Sequence, residues 1–284
     1  MKHYSPLRYP GGKAKLSSFM KGICDSNLIG DGTYVEPFAG GASVALNLLI
    51  EEYVSNIVIN DIDKAIGSFW YSILNHTEEF CKRIYDAAFD VSNWDVQKAI
   101  YNGKHEILNL DLGFATFFLN RTNRSGVLKA GIIGGKDQAG PWKMDARFNK
   151  KELIRRVEKI ALYKDRIRLY NLDACDFLNQ LRRSFNSRTL IYFDPPYYVK
   201  GKDLYTNFYR YSDHNLLSNE ISTLTIPKWL VTYDDTPEIK KLYSSFRKVK
   251  YALSYSLINA RMGNEIMFFS NNLKVPKEML PKFI

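Results

Sequence analysis

Tyr34-Val-Glu-Pro-Phe-Ala-Gly-Gly-Ala-Ser43 is a short apolar run that stops at a proline, crosses two glycines and opens into a helical pattern. The spacing predicts a strand over Thr33–Pro37, a glycine turn, and a helix over Ala42–Tyr53. Glycines at such a turn let the backbone approach a ligand, and the helix N-terminus behind them offers free N–H groups. A second β-branched run, Asn56–Ile59, ends at Asn60-Asp61, twenty-one residues past Gly40. An acid so placed at a strand end is within reach of ribose hydroxyls. An ordinary strand-to-helix connection has the same outline, so this spacing alone leaves both readings standing.

Two nucleotide-binding loops are excluded by residue identity. A phosphate loop around Gly12-Lys13 would need glycine where Leu7 stands and Ser or Thr where Ala14 stands. The dinucleotide fingerprint fails as well, because Gly40-Gly41-Ala42 is followed by no further glycine in the turn.

Outward from this segment, Arg166–Tyr170, Thr189–Phe193, Trp229–Thr232 and Ile266–Phe269 read as further strands. Helical stretches such as Lys150–Leu162 and Asp213–Leu224 lie between them. Strands that alternate with helices imply an α/β fold with a mainly parallel, doubly wound sheet. From about Lys64 to Asp165 the rhythm changes: helical patterns over Ala65–Tyr85 and Asp111–Asn120 precede a Gly- and Arg-rich passage, Asn120–Phe148. This texture predicts a helical domain over 64–165, inserted into a catalytic domain of 1–63 and 166–284.

Leu190-Ile-Tyr-Phe-Asp-Pro-Pro-Tyr197 is a buried-type strand that ends abruptly. Two successive prolines fix φ and remove two N–H donors, leaving stiff backbone carbonyls. Asp194 and the Pro195 carbonyl can each accept a hydrogen from an exocyclic amine, freeing its lone pair for attack on a sulfonium methyl. Tyr197 offers a flat face for a base taken out of its stack. The bland alternative is a strand-terminating turn with a solvated aspartate.

The 284 residues carry a formal net charge of +10, which suits a polyanionic partner. Three cysteines without C-x-x-C spacing and four scattered histidines argue against a structural metal site or a disulfide framework. No apolar run nears the roughly 20 residues of a membrane span, and the first residues lack a signal-peptide core, so a cytoplasmic protein is expected.

Three segments together, Pro6-Leu-Arg-Tyr-Pro-Gly-Gly-Lys13, Val35-Glu-Pro-Phe-Ala-Gly-Gly41 and Asp194-Pro-Pro-Tyr197, resemble the signature set of the Dam-type (class D12, α-group) N6-adenine-specific DNA methyltransferases. The resemblance runs over essentially the whole chain. It implies a Rossmann-like S-adenosylmethionine-dependent methyltransferase sheet with an inserted helical DNA-recognition domain, acting by base flipping. It implies cofactor contacts from Tyr9, Lys13, Glu36, Phe38, Ala39, Gly40, Gly41, Ser43, Asp61, Ile62 and Asp194, with Asp176 and Phe177 bordering the adenine ring. Asp194, Pro195, Pro196 and Tyr197 are the implied catalytic segment. One departure is visible: the family's F-x-G-x-G reads Phe38-Ala-Gly-Gly-Ala42 here.

Phe118–Val127 resembles the family's hairpin approach to double-stranded DNA, within a stretch placed near 120–148. Arg121, Asn123, Arg124, Ser125 and Lys129 are its implied DNA contacts; Arg/guanine and Asn/adenine are the matching bidentate pairs. Lys136, Lys143 and Arg147 extend the basic stretch around Trp142, and Arg261 is a further candidate. The hairpin differs from that of GATC-specific relatives after its Asn-Arg start, so no target site is assigned. No metal is expected, and a monomer or weak dimer is. The nearest competing chemistry is N4-cytosine methylation, whose enzymes favour Ser-Pro-Pro-Tyr. A C5-cytosine mechanism lacks its Pro-Cys nucleophile, since none of Cys24, Cys81 or Cys175 follows proline.

Overall fold

A computed structural model describes residues 3–8, 16–199, 209–255 and 261–276, with the side chains of 252–264 excepted. The chain divides into two compact units, each considered by itself.

The first unit, built from 13–62 and 166–284, holds a seven-stranded sheet. Its strands are β1 (Thr33–Glu36), β2 (Asn56–Asn60), β3 (Ile167–Tyr170), β4 (Thr189–Phe193), β5 (Lys228–Asp234), β6 (Arg247–Tyr255) and β7 (Arg261–Phe269). They lie in the order β3-β2-β1-β4-β5-β7-β6. The first five are mutually parallel, while β7 runs antiparallel to both β5 and β6. Parallel strands must be covered on both faces, which is why β2 and β4 are nearly unbroken apolar runs. Every residue of β4 is buried. Helices α1 (Ser17–Ser26) and α2 (Ser43–Ile50) belong to this unit. Phe177, Leu178, Leu217 and Ile221 pack with Val35, Ile191, Phe193 and Val231 of the sheet in one core.

β6 went unread in the sequence because Arg247, Lys248 and Lys250 break any apolar pattern. A charged strand at a sheet border is the usual guard against edge-to-edge pairing. Its partner β7 is also longer than the Ile266–Phe269 core that the sequence indicated.

The second unit, residues 3–8 with 63–165, is helical: α3 (Lys64–Asn75), α4 (Thr77–Asp86), α5 (Val91–Asn102), α6 (Leu110–Thr122) and α7 (Lys150–Ala161). Asp63, Asp90, Asn109 and Asn149 cap α3, α5, α6 and α7 by accepting a first-turn N–H. The pattern over Ala65–Tyr85 is two helices, broken at His76, whose φ of −131° is not helical. From Leu112 to Thr122 α6 is buried on every side, so it is the central helix of the unit. Phe117 lies 5.4 Å from Phe80 and 5.3 Å from Phe148, both edge-on.

The sequence reading left the first residues with the sheet; the structure places 3–8 in the helical unit instead. The reason is a set of backbone groups that side chains of α6 and α7 satisfy. Asn120 accepts the Arg8 N–H at 2.7 Å and donates to the Arg8 carbonyl at 2.7 Å. Arg121 Nε donates to the Pro6 carbonyl at 2.7 Å, and Arg156 Nη1 to the Ser5 carbonyl at 3.0 Å.

Among the described residues, the sheet unit also holds the α-helices α8 (Ala174–Leu181), α9 (Tyr211–Ser222) and α10 (Pro237–Leu242). Among the described residues, no helix is long and apolar enough to cross a membrane.

Candidate active site

The strand order reverses between β1 and β4, and in open α/β sheets ligands bind outside the carboxyl ends of the strands at that point. The residues there are Glu36 at the end of β1 and Asp194 just past β4.

The turn after β1 is held from the neighbouring strand. The Ala39 N–H donates to the Asn60 carbonyl at 2.8 Å, and the Gly40 N–H to Asp61 Oδ2 at 2.9 Å. Asn60 Nδ2 donates to the Pro37 carbonyl at 2.9 Å and the Leu172 carbonyl at 3.0 Å, while its Oδ1 accepts the Leu172 N–H at 3.0 Å. One buried amide thus ties three strand ends together, a role with no signal in the sequence beyond an Asn at a strand end. Gly40 has φ +46° and Ala42 φ +45°. Left-handed backbone suits glycine and costs an L residue roughly 1–2 kcal/mol, so Ala42 preserves the turn's course under strain.

Glu36 is buried. Its Oε1 accepts from Tyr34 Oη at 2.9 Å and from the Ala45 N–H at 3.2 Å in the first turn of α2. Burial outweighs both donors and, with the Asp194 charge adding, raises its pKa from 4.5 to about 8. The folded protein therefore holds a proton that the unfolded chain releases, so this contribution is full below 4.5 and lost as pH rises towards 8. Glu36→Gln, which cannot ionise, is expected to gain stability relative to wild type by on the order of a few kcal/mol between pH 5 and pH 9. Denaturant titrations at the two pH values measure it; a difference independent of pH would show that Glu36 does not ionise on unfolding.

Asp194 is half-buried, and Thr232 Oγ1 on β5 donates to its Oδ1 at 2.8 Å. That hydroxyl has one proton, so Tyr192 Oη, 3.0 Å away, is the donor to Thr232. Pro195 and Pro196 are buried. Tyr197 corrects an expectation: its ring is buried and its hydroxyl donates to Glu265 Oε1 at 2.6 Å, so this structure packs the ring rather than presenting an open face. Tyr251 Oη donates to the other oxygen of Glu265. The Tyr198 and Val199 N–H groups donate to Asp234 Oδ1 and Oδ2, both at 2.9 Å. Thr232, Asp234 and Glu265 were invisible as site residues, because their meaning comes from strand pairing rather than from a motif.

Phe38 is half-buried, edge-on to Tyr209 at 5.8 Å. Tyr209 also packs 5.4 Å from His214, whose Nδ1 lies 3.0 Å from Tyr233 Oη. Burial lowers the His214 pKa to about 4, so the ring is neutral. Ala39 and Gly41 are buried in the turn, Ser43 opens α2, and Ile62 is exposed beside Asp61. Phe177 is fully buried in the core, 5.4 Å from Tyr170; Asp176 is exposed on the first turn of α8. Tyr9 and Lys13 lie outside the described residues, as does the Arg261 side chain.

In the helical unit two implied DNA contacts are spent internally. Arg121 is 8% exposed and bonded to the Pro6 and Arg147 carbonyls. Asn123 is fully buried, accepting from Trp94 Nε1 at 2.7 Å and donating to the Leu128 carbonyl at 3.0 Å. Both shape the turn after α6 and cannot face a groove from these positions. Arg124 and Lys129 are exposed and Ser125 is half-buried. Among the described residues, no cluster of three or more His, Cys, Asp or Glu is placed to hold a metal ion.

A sheet of this order, with a glycine turn and acids at its switch point, defines a Rossmann-like methyltransferase fold. The model of the D12 class N6 adenine-specific DNA methyltransferases matches residues 9–257, and the chain belongs to that family. Among solved structures, the crystal structure of SMU.472, a putative methyltransferase complexed with SAH, is similar at 12% identity and a TM-score of 0.38, covering 92% of this chain and 54% of that one. This chain therefore spans about half the length of that protein. Comparison with curated proteins gives no match.

Proposed function

We propose that the protein transfers a methyl group from S-adenosylmethionine to N6 of adenine in duplex DNA, after turning the base out of the stack. The observation that carries this reading is the meeting of Asp194, held by Thr232 at 2.8 Å, with Glu36 and the glycine turn at one switch point.

The donor set suits such a cofactor. Asp61 accepts the Gly40 N–H at Oδ2, and a carboxylate has about four acceptor positions, so ribose hydroxyls can share it. Phe38–Gly41 would lie under the amino-acid end, with Glu36 beneath. When bound, S-adenosylmethionine supplies an electrophilic methyl on a sulfonium centre. Asp194 and the Pro195 carbonyl accept the two N6 hydrogens of the adenine, which orients the nitrogen lone pair. Holding the amine this way lets proximity and orientation supply much of the acceleration. Arg124, Ser125 and Lys129 are the proposed DNA contacts of the helical unit, on phosphates or base edges.

Incubating the protein with plasmid DNA and methyl-labelled S-adenosylmethionine, then separating the nucleosides, tests the reading. Label in N6-methyladenine is the expected result. Label confined to cytosine, or none in DNA, would end it.

A further inference from the structure

Asp234 at the end of β5 and Glu265 on β7 are directly opposite one another in the antiparallel pair, and both are buried, at 8% and 2% exposure. Like charges facing across a strand pair are destabilising. The arrangement stands because each carboxylate is supplied with protein donors. Asp234 accepts the Tyr198 and Val199 N–H groups, one on each oxygen, at 2.9 Å. Glu265 accepts the Tyr197 and Tyr251 hydroxyls, one on each oxygen.

Three of these four donors come from one short segment. Pro195 and Pro196 have no N–H, so the turn after Asp194 cannot anchor itself through those positions. Thr232, two residues before Asp234 and on the same face of β5, holds Asp194 itself at 2.8 Å. Tyr197, Tyr198 and Val199 are then held in succession by Glu265 and Asp234. We propose that Asp234 and Glu265 are positioning residues, a cross-strand acid clamp that fixes Asp194–Val199 and so aims the reacting carboxylate from the β5–β7 pair.

The proposal rests on the methyl-transfer reading for its kinetic readout only. Its discriminating feature is donor chemistry. A backbone N–H can only donate, so in Asp234→Asn the new NH2 would face an N–H, donor against donor. A tyrosine hydroxyl both donates and accepts, so in Glu265→Gln the amide can accept from one tyrosine and donate to the other.

Two measurements on the full chain test it. Hydrogen exchange at Tyr198 and Val199 should quicken roughly tenfold in Asp234→Asn and change far less in Glu265→Gln. Single-turnover methylation of plasmid adenine should slow by roughly tenfold or more in Asp234→Asn, with a smaller loss in Glu265→Gln and cofactor affinity within about twofold in both. Asp234→Ser, which hands the two N–H groups to water, gives the same comparison if Asp234→Asn does not fold. Unchanged exchange in the Asp234 variants, equal losses from the two acids, or loss of rate together with cofactor affinity overturns the clamp. A wild-type protein that methylates no adenine overturns the functional reading, and the exchange comparison then decides the clamp alone.

Discussion

Asp194→Ala is expected to lower the single-turnover rate of adenine methylation roughly a hundred- to thousandfold, about 3–4 kcal/mol, while the protein stays folded. The acid sits just past β4, where Thr232 Oγ1 holds one oxygen at 2.8 Å and the following prolines stiffen the chain. Its removal takes away the acceptor that orients the amine and leaves the Thr232 hydroxyl to find water. Since Asp194 is half-buried and outside the sheet ladder, the stability cost should be modest. Rapid-quench assays with excess enzyme over DNA separate this from slow product release. A variant that kept more than half the wild-type rate would remove Asp194 from the reaction.

Arg121→Ala should act on folding, destabilising the helical unit by roughly 2–4 kcal/mol. The guanidinium is buried with the Pro6 carbonyl as its main acceptor, at 2.7 Å from Nε. Burial, with Arg156 and Arg8 nearby, pushes its pKa down, so the site tolerates the charge only through those carbonyl bonds. Alanine leaves the carbonyls unpaired and a cavity beside them. Arg124→Ala, at an exposed position three residues on, should change stability in a urea titration by no more than about 0.5 kcal/mol. Equal effects of the two substitutions would mean that Arg121 is not the internal strut described above.

The class of fold was legible because its punctuation is local. A proline and two glycines after Thr33–Glu36, and a double proline after Thr189–Phe193, mark strand ends whatever surrounds them. The resemblance built on those segments agrees with the family match over 9–257. Arg121 and Asn123 are DNA contacts by the resemblance of Phe118–Val127 to the family's hairpin, and a resemblance of that kind carries no information on burial. Their burial depends on partners such as Pro6, 115 residues away. Tyr197 was read for its ring, yet the hydroxyl decides its setting through Glu265, which strand pairing alone brings near. Asn60, Thr232 and Asp234 share that character: each is a short polar residue at or near a strand end, and only the sheet's order gives it a partner.

The bonds between residues 5–8 and Asn120, Arg121 and Arg156 have a consequence for how the molecule is made. These residues leave the ribosome before their partners, which follow by 112 to 151 positions. The nascent helical unit must stay unfinished until α7 has emerged, by which time β1 and β2 are also waiting for β3. For the same reason, a fragment cut at 63–165 would carry a buried guanidinium without the Pro6 carbonyl and a buried amide without the Arg8 carbonyl. A graft of this unit onto another protein would need the hexapeptide at 3–8 supplied with it, on a linker or as a second chain.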